Sequence, residues 1–279
     1  MEVLHGLPGT SLDLIVHSPG GSAEAAEALV TYIRTRVTDL RVFVPHAAMS
    51  AATMLSCAAN RIVMGKHSFL GPIDPQIILR TEFGPSISPA YAILEQFAQA
   101  QKECKDPSLL PSWLPILRQY GPALIVQCRL AQKLSRSLVT DWLAKYMFAT
   151  QRNARAKARR TAASLADHAR FKSHNRFLSR EQAKAMKLVV DDLEKDQALQ
   201  DAVLSVFHAF NHTFNSTVAV KIIENHLGKA YIKQSQAIMF QQPMFIPHPP
   251  SPPPVPPGLL TAPPGPPPTP MSPPAAPSP

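Results

Sequence analysis

Between Leu12 and Pro75, short apolar runs alternate with helix-prone stretches, a rhythm that few folds can accommodate. Leu12 to His17 is almost continuously apolar and closes on Ser18-Pro19-Gly20-Gly21, as a buried parallel strand does at its end. Ser22 then opens an amphipathic stretch with Ala25, Leu29, Ile33 and Val37 at near-helical spacing. Arg41 to Pro45 predicts a second strand, the small apolar run from Ser50 a second helix, and Arg61 to Met64 a third strand. Phe69 to Pro75 is a tight, proline-rich turn. This β-α-β-α-β order predicts the α/β class: a mostly parallel sheet with helices packed against it.

Beyond the turn, the stretch from Ala90 to about Ala169 predicts a long helical insertion, broken at Pro107, Pro111, Pro115 and Pro122. Ser179-Arg180-Glu181-Gln182 has capping-box spacing and starts another helix. Leu188 to Val190 reads as a returning strand, and Gln197 to Gln236 as helix again. Of 30 prolines, 19 follow Gln242. A segment so poor in apolar side chains and free backbone donors builds no core, so residues 243–279 are expected to be a disordered, Pro-rich tail, a form that also suits Pro-binding partner modules. The expected organisation is a globular domain over 1–194, a helical C-terminal segment over 195–242, and the tail. Only about ten residues precede the first core strand, whereas such sheets usually have earlier units beside it, so native residues upstream of Met1 are expected.

The net charge of +9 invites a nucleic-acid reading. Much of it sits in one Ala-rich run, Arg152, Arg155, Lys157, Arg159 and Arg160, followed by Arg170, Lys172 and Arg176. With no interleaved aromatics to stack bases, the run predicts a solvated helix face, and no nucleic-acid partner is expected. Cys57, Cys104 and Cys128 are odd in number and lack metal-ligand spacing, so neither a disulfide framework nor a metal site is implied. Without a long apolar run or a signal-peptide pattern, the chain as written is expected to be cytoplasmic; membrane association would need an upstream anchor.

Three short motifs stand where strands end. Ser18-Pro19-Gly20-Gly21 lets backbone N–H groups face outward, as oxyanion binding requires, although strand-Gly-Gly-helix is also a generic packing turn. In Ala47 to Thr53, small residues leave the Ser50 hydroxyl accessible, and the N–H of Ala51 can share an oxyanion with the Gly20-Gly21 turn. The logic is that of a nucleophile elbow without the G-x-S-x-G pattern; a serine there also suits a plain helix N-cap. Asp74, between Pro72 and Pro75 in a rigid turn, is held still as a group orienting an imidazole should be, or is a turn aspartate bonded to its own backbone.

Together, LIVHSPGG, VFVPHAAMSAAT, RIVMGKHSFLGPIDPQ and KSHNRFLSREQAKAMKLVV resemble the serine dehydrogenase proteinase family, related to Clp protease and signal peptide peptidase A, over most of the chain to about Gln236. The resemblance implies a Clp/crotonase-like fold, a homo-oligomer, and hydrolysis of peptide bonds in a peptide or protein substrate. It also implies a Ser-Asp-His triad in that chain order. Asp74 falls roughly where Clp protease places its histidine, so the base comes from elsewhere, and the match implies His174. Lys66 is the alternative base, in a Ser-Lys dyad of the kind found in signal peptide peptidase A. His46 and His67 lie near the motifs in sequence. His208 and His212 have i, i+4 spacing but lack the glutamate of a zinc motif. No nicotinamide cofactor is expected, because no G-x-G-x-x-G fingerprint follows a strand. Two other readings remain: a crotonase-type acyl-CoA enzyme, which needs the paired N–H groups but no serine, and a catalytically weak Clp-fold scaffold.

Overall fold

A computed structural model describes residues 2–82 and 84–235; the expected tail and the last residues of the expected helical segment lie outside them. After a short 3-10 turn at Glu2–Leu4, the chain runs β1 (Ser11–Ile15), α1 (Ala23–Arg34), β2 (Asp39–Val44), β3 (Ala47–Ala48), α2 (Ala51–Cys57), β4 (Arg61–Met64) and β5 (Phe69–Leu70). It continues through β6 (Gln76–Thr81), β7 (Gly84–Pro89), α3 (Ala90–Glu103), α4 (Leu110–Leu117) and α5 (Leu124–Trp142). A π-helical turn at Leu143–Met147 leads to α6 (Ala154–Leu165), α7 (His168–Phe171), β8 (Leu178–Ser179), α8 (Arg180–Ala185) and β9 (Val190–Asp192). The described chain ends in α9 (Gln197–Ser216), β10 (Ala219–Glu224) and β11 (Ala230–Gln234).

The main sheet has the order β1-β2-β4-β9, and every neighbouring pair is parallel. Its inner strands are buried on both faces. Leu40, Val42, Val44, Ile62 and Met64 join the large core with α2, α5 and α6. Phe43 and Val63 point the other way and meet Leu193 and Val203. The alternation follows from the pleat, which sends successive side chains to opposite faces. The apolar run expected to be a buried strand is instead the sheet edge: along β1, Leu12 and Leu14 are half-buried while Ile15 is exposed. On α1 the core takes Ala26, Val30 and Ile33, a face turned by one residue from the expected one, leaving Leu29 exposed.

A second sheet, β3-β5-β8, positions the three motifs. After β2 the chain continues through Pro45 and His46 into β3, and after β4 it continues into β5, which lies parallel to β3. Ser18, beyond β1, forms an isolated parallel bridge with Ala48. The ends of three adjacent strands are thereby laid side by side, with β8 closing the other edge antiparallel to β5.

The insertion is helical as expected, but it does not stand apart. Leu138, Val139 and Trp142 of α5 and Ala158, Ala162 and Leu165 of α6 belong to the main core. The first turns of α5, through Leu124 and Cys128, pack with Ala90 and Ile93 of α3. Ala158, Thr161, Ala162 and Leu165 form the buried side of α6, and Arg152, Arg155, Arg159 and Arg160 are exposed, matching a solvated basic face. The capping box forms at Ser179 with Gln182. Two hairpins were not anticipated: β6-β7, directly after the Asp74 turn, and β10-β11, where helix was expected. The β-branched Val220, Ile222 and Ile223 within Ala219–Glu224 outweigh the helical reading there. No described helix is long and apolar enough to cross a membrane.

Ile62 is fully buried in register between Val42 and Val190, whereas Ile78 on β6 is 68% exposed. Ile62→Ala is expected to cost about 2–5 kcal/mol of unfolding free energy, since it leaves a cavity in the sheet core. Ile78→Ala should stay within about 0.5 kcal/mol. Urea unfolding followed by circular dichroism checks both.

Candidate active site

Ser50 occupies the turn between β3 and α2 with φ 51° and ψ −118°, a backbone conformation that side-chain-bearing residues rarely adopt. An N-cap serine would be extended and would accept an N–H bond from the first helical turn. Ser50 does neither, and among the described residues no hydrogen bond reaches its hydroxyl. Its geometry is that of a strained strand-to-helix elbow. Cys57, on the same helix, is fully buried, which pushes its thiol up to about 12; it packs and stays protonated.

Two glycines close on this elbow from either side. Gly20 has φ +109°, and a Cβ there would lie 2.8 Å from both the Met49 carbonyl oxygen and the Ser50 Cβ. A Cβ on Gly71 would meet the Met49 side chain at 2.6 Å and its Cα at 3.3 Å. The backbone therefore approaches Met49-Ser50 more closely than any side chain would allow.

The expected trio of N–H donors needs one correction. The Gly20 N–H donates to Ser18 Oγ at 3.1 Å, a turn bond within its own motif. The N–H groups of Gly21 and Ala51 have no acceptor among the described residues. Gly20 shapes the turn through its missing side chain, and a Cβ there would lie 3.2 Å from the Ala51 N.

Thr53 ties the serine turn to the aspartate turn. Its buried hydroxyl donates to the Ala48 carbonyl at 2.7 Å and accepts the Gly71 N–H at 2.9 Å. Asp74 follows three residues later, 2% exposed, with the preceding Ile73 N–H bonded to Leu165 O at 3.0 Å. Its carboxylate is not a turn aspartate bonded to its own backbone. It receives two imidazoles: His174 Nδ1 lies 3.0 Å from Oδ1 and His168 Nδ1 lies 2.8 Å from Oδ2. Burial opposes ionisation of Asp74, but hydrogen bonds from His174 and then His168, with their charges, outweigh it and hold the carboxyl below its ordinary value.

His174 thus stands beside Asp74, in the loop between α7 and β8. His168 escaped the sequence reading: nothing in Asp167-His168-Ala169 marks it, and only the fold shows that Asp74 has a second oxygen within reach of α7. Lys66 is exposed in the turn between β4 and β5, where its N–H donates to Glu194 Oε1, so it lacks the burial on which a lysine base depends. His46 belongs to an aromatic cluster with His17, Phe69 and Phe207. His67 is exposed against Gly65, and His208 and His212 are exposed on α9. Among the described residues no cluster of ligands could hold a metal ion. A cleft of about 940 Å³ between β6, α4 and the start of α5 contains none of these groups.

Replacing Thr53 by Val keeps its shape but strands a buried N–H and a buried carbonyl. Thr53→Val is expected to cost about 1–3 kcal/mol in urea unfolding. The depressed Asp74 makes a further prediction. Because the unfolded chain binds its proton more readily, the stability from this carboxylate is full above the ordinary carboxylate range, about 3.9, and is lost as pH falls from there through the lower folded value. The contribution of the Asp74 carboxylate to the stability difference between the parent and Asp74→Asn should therefore shrink as pH falls below about 4. Urea midpoints measured from pH 7 to pH 3 check this.

Two uncharacterized proteins of Methanocaldococcus jannaschii are similar to this chain. One is 34% identical over 99 residues, 36% of this chain and 31% of that protein. The other is 42% identical over 66 residues, 24% of this chain and 23% of that protein. The matches thus span about a third and about a quarter of the relatives' own lengths. No solved structure matches. Over residues 7–111, the stretch that carries Gly20, Gly21, Ser50 and Asp74 and stops short of both Asp74-bound histidines, the chain matches the family model described as ClpP-like SDH-type serine proteinase.

Proposed function

We propose that the protein is a serine-type peptidase in which Ser50 is the nucleophile, His174 the base, Asp74 the group that orients the base, and the N–H groups of Gly21 and Ala51 the oxyanion donors. The observation that carries this reading is the strained, uncapped backbone of Ser50 beside two unpaired N–H groups. Such strain costs about 1–3 kcal/mol and persists where the surroundings over-determine it, which fits a residue held for chemistry. The serine proteinase family match over the same segment supports the reaction class.

The residues divide the work as follows. With Nδ1–H donated to Asp74, His174 presents an unprotonated Nε2 that takes the proton of Ser50 Oγ as Oγ bonds to the peptide carbonyl carbon. The carbonyl oxygen becomes an oxyanion and is stabilised by the Gly21 and Ala51 N–H groups. His174 returns the proton to the amine nitrogen as the C–N bond breaks. Water, activated by the same Nε2, releases the acyl group and restores the serine. Throughout, ionised Asp74 stabilises the charged imidazole and fixes its tautomer.

One observation favours the scaffold reading: the Ser50 hydroxyl is bonded to neither imidazole. Catalytic hydrogen bonds often tighten only when substrate is present, so this distinguishes the readings only together with reactivity. A fluorophosphonate probe should label the intact protein stoichiometrically and fail on Ser50→Ala and His174→Ala. A folded parent that takes up no probe would overturn the peptidase reading and leave the scaffold and the acyl-CoA enzyme. Labelling that survives His174→Ala but not Lys66→Ala would assign the base to Lys66.

A further inference from the structure

Asp74 is bonded by one imidazole more than a Ser-Asp-His arrangement uses. Each ring donates from Nδ1 to a different carboxylate oxygen, and each leaves Nε2 without a partner among the described residues. Proximity to Asp74 therefore does not say which ring is the base.

The surroundings of the two rings do. His168 is the first residue of α7, with its N–H bonded to Ala166 O at 3.0 Å and its carbonyl accepting from Lys172 N at 2.6 Å. Its ring lies against Tyr91 of α3, with centroids 5.3 Å apart and planes 29° apart. The N-cap Asp167 fixes the start of the turn by accepting the Arg170 N–H. His168 is thus held by its backbone on both sides, by a ring on one face and by Asp74 at Nδ1. His174 lies in the loop after α7; its backbone makes no hydrogen bond among the described residues, and Asp74 is the one side chain bonded to its ring. A base oriented by a carboxylate needs that carboxylate as its partner and an Nε2 left free for the reacting groups, whereas a ring anchored through its backbone and one face is placed to align the carboxylate itself.

We propose that His168 is a positioning residue: it clamps the Oδ2 side of Asp74 so that Oδ1 is presented to His174, making a two-armed carboxylate in place of a simple triad. The clamp answers a need specific to this site. Asp74 is almost wholly buried, and a carboxylate with one partner would leave an oxygen desolvated and free to rotate toward His174 in more than one way. His168 satisfies that oxygen and fixes the carboxylate plane.

The assignment rests on the hydrolase reading above, and its test separates the two. His→Asn places an amide N–H near the position of Nδ1 but supplies no Nε2. His168→Ala is expected to slow fluorophosphonate labelling about tenfold to a hundredfold, the scale on which a displaced catalytic group loses rate. His168→Asn should restore most of the loss, whereas His174→Asn should be as inactive as His174→Ala. If His168→Asn is inactive and His174→Asn labels, the roles are reversed and the proposal is wrong. If His168→Ala labels at the parent rate, the clamp has no function even though the hydrolase reading stands. Should the parent not label at all, the hydrolase reading fails by itself, and 15N spectra of the imidazoles in Ser50→Ala judge the clamp. Both rings as Nδ1–H tautomers uphold it; a His168 ring protonated only at Nε2 overturns it.

Discussion

Everything at the site depends on the register that sets Ser18 beside Ala48 and Ala48 beside Leu70. The main sheet alone would end three adjacent strands at one edge of the fold and leave their loops free to diverge. The short second sheet prevents this by pairing the chain again just after each strand. Two residues beyond Ser18 comes Gly20, two beyond Ala48 comes Ser50, and four beyond Leu70 comes Asp74. Catalytic geometry tolerates little displacement, and elements fixed by backbone pairing are positioned better than free loops.

Within that frame, the contacts around Met49 and Ser50 form one continuous set. Gly20 presses on the elbow from the β1 side, Gly71 packs against Met49 from the β5 side, and the Thr53 hydroxyl spans Ala48 and Gly71 beneath it. The strained φ of Ser50 is held by these neighbours and not by a cap. Ala51 and Ala52, both buried in the main core, keep α2 close to the sheet and leave no room for the elbow to relax into an ordinary helix start.

The frame was legible in the sequence because it obeys period and punctuation. Arg61 to Met64 was placed to the residue, and the strand-to-helix junctions at Gly20-Gly21 and Ser50 followed from apolar runs closed by small residues. The two-residue strands β3, β5 and β8 carry no period, so the second sheet was invisible. The edge position of β1 was missed because an apolar run marks a strand without saying how many neighbours it has. At the site, the turns singled out Ser50 and Asp74 but left a plain structural reading open for each, an N-cap serine and a turn aspartate, whereas a histidine has no local signature: His174 came from resemblance, and His168 emerged only from the fold.

The pairing of a buried acid with two histidines also shows why Asp74, rather than an exposed carboxylate, suits this place. Burial alone would favour the neutral acid, which accepts hydrogen bonds poorly and does not stabilise a charged imidazole. Two donors are enough to reverse that preference, and they do so in a setting where water cannot compete with them. An exposed aspartate would be ionised without help, but its hold on a nearby imidazole would be weakened by solvent and salt. A buried carboxylate therefore holds an imidazole more firmly only because both of its oxygens are occupied. The same argument makes α7, a four-residue helix far along the chain from Ser50, part of the site's architecture. It brings His168 to one oxygen, and the loop that follows brings His174 to the other.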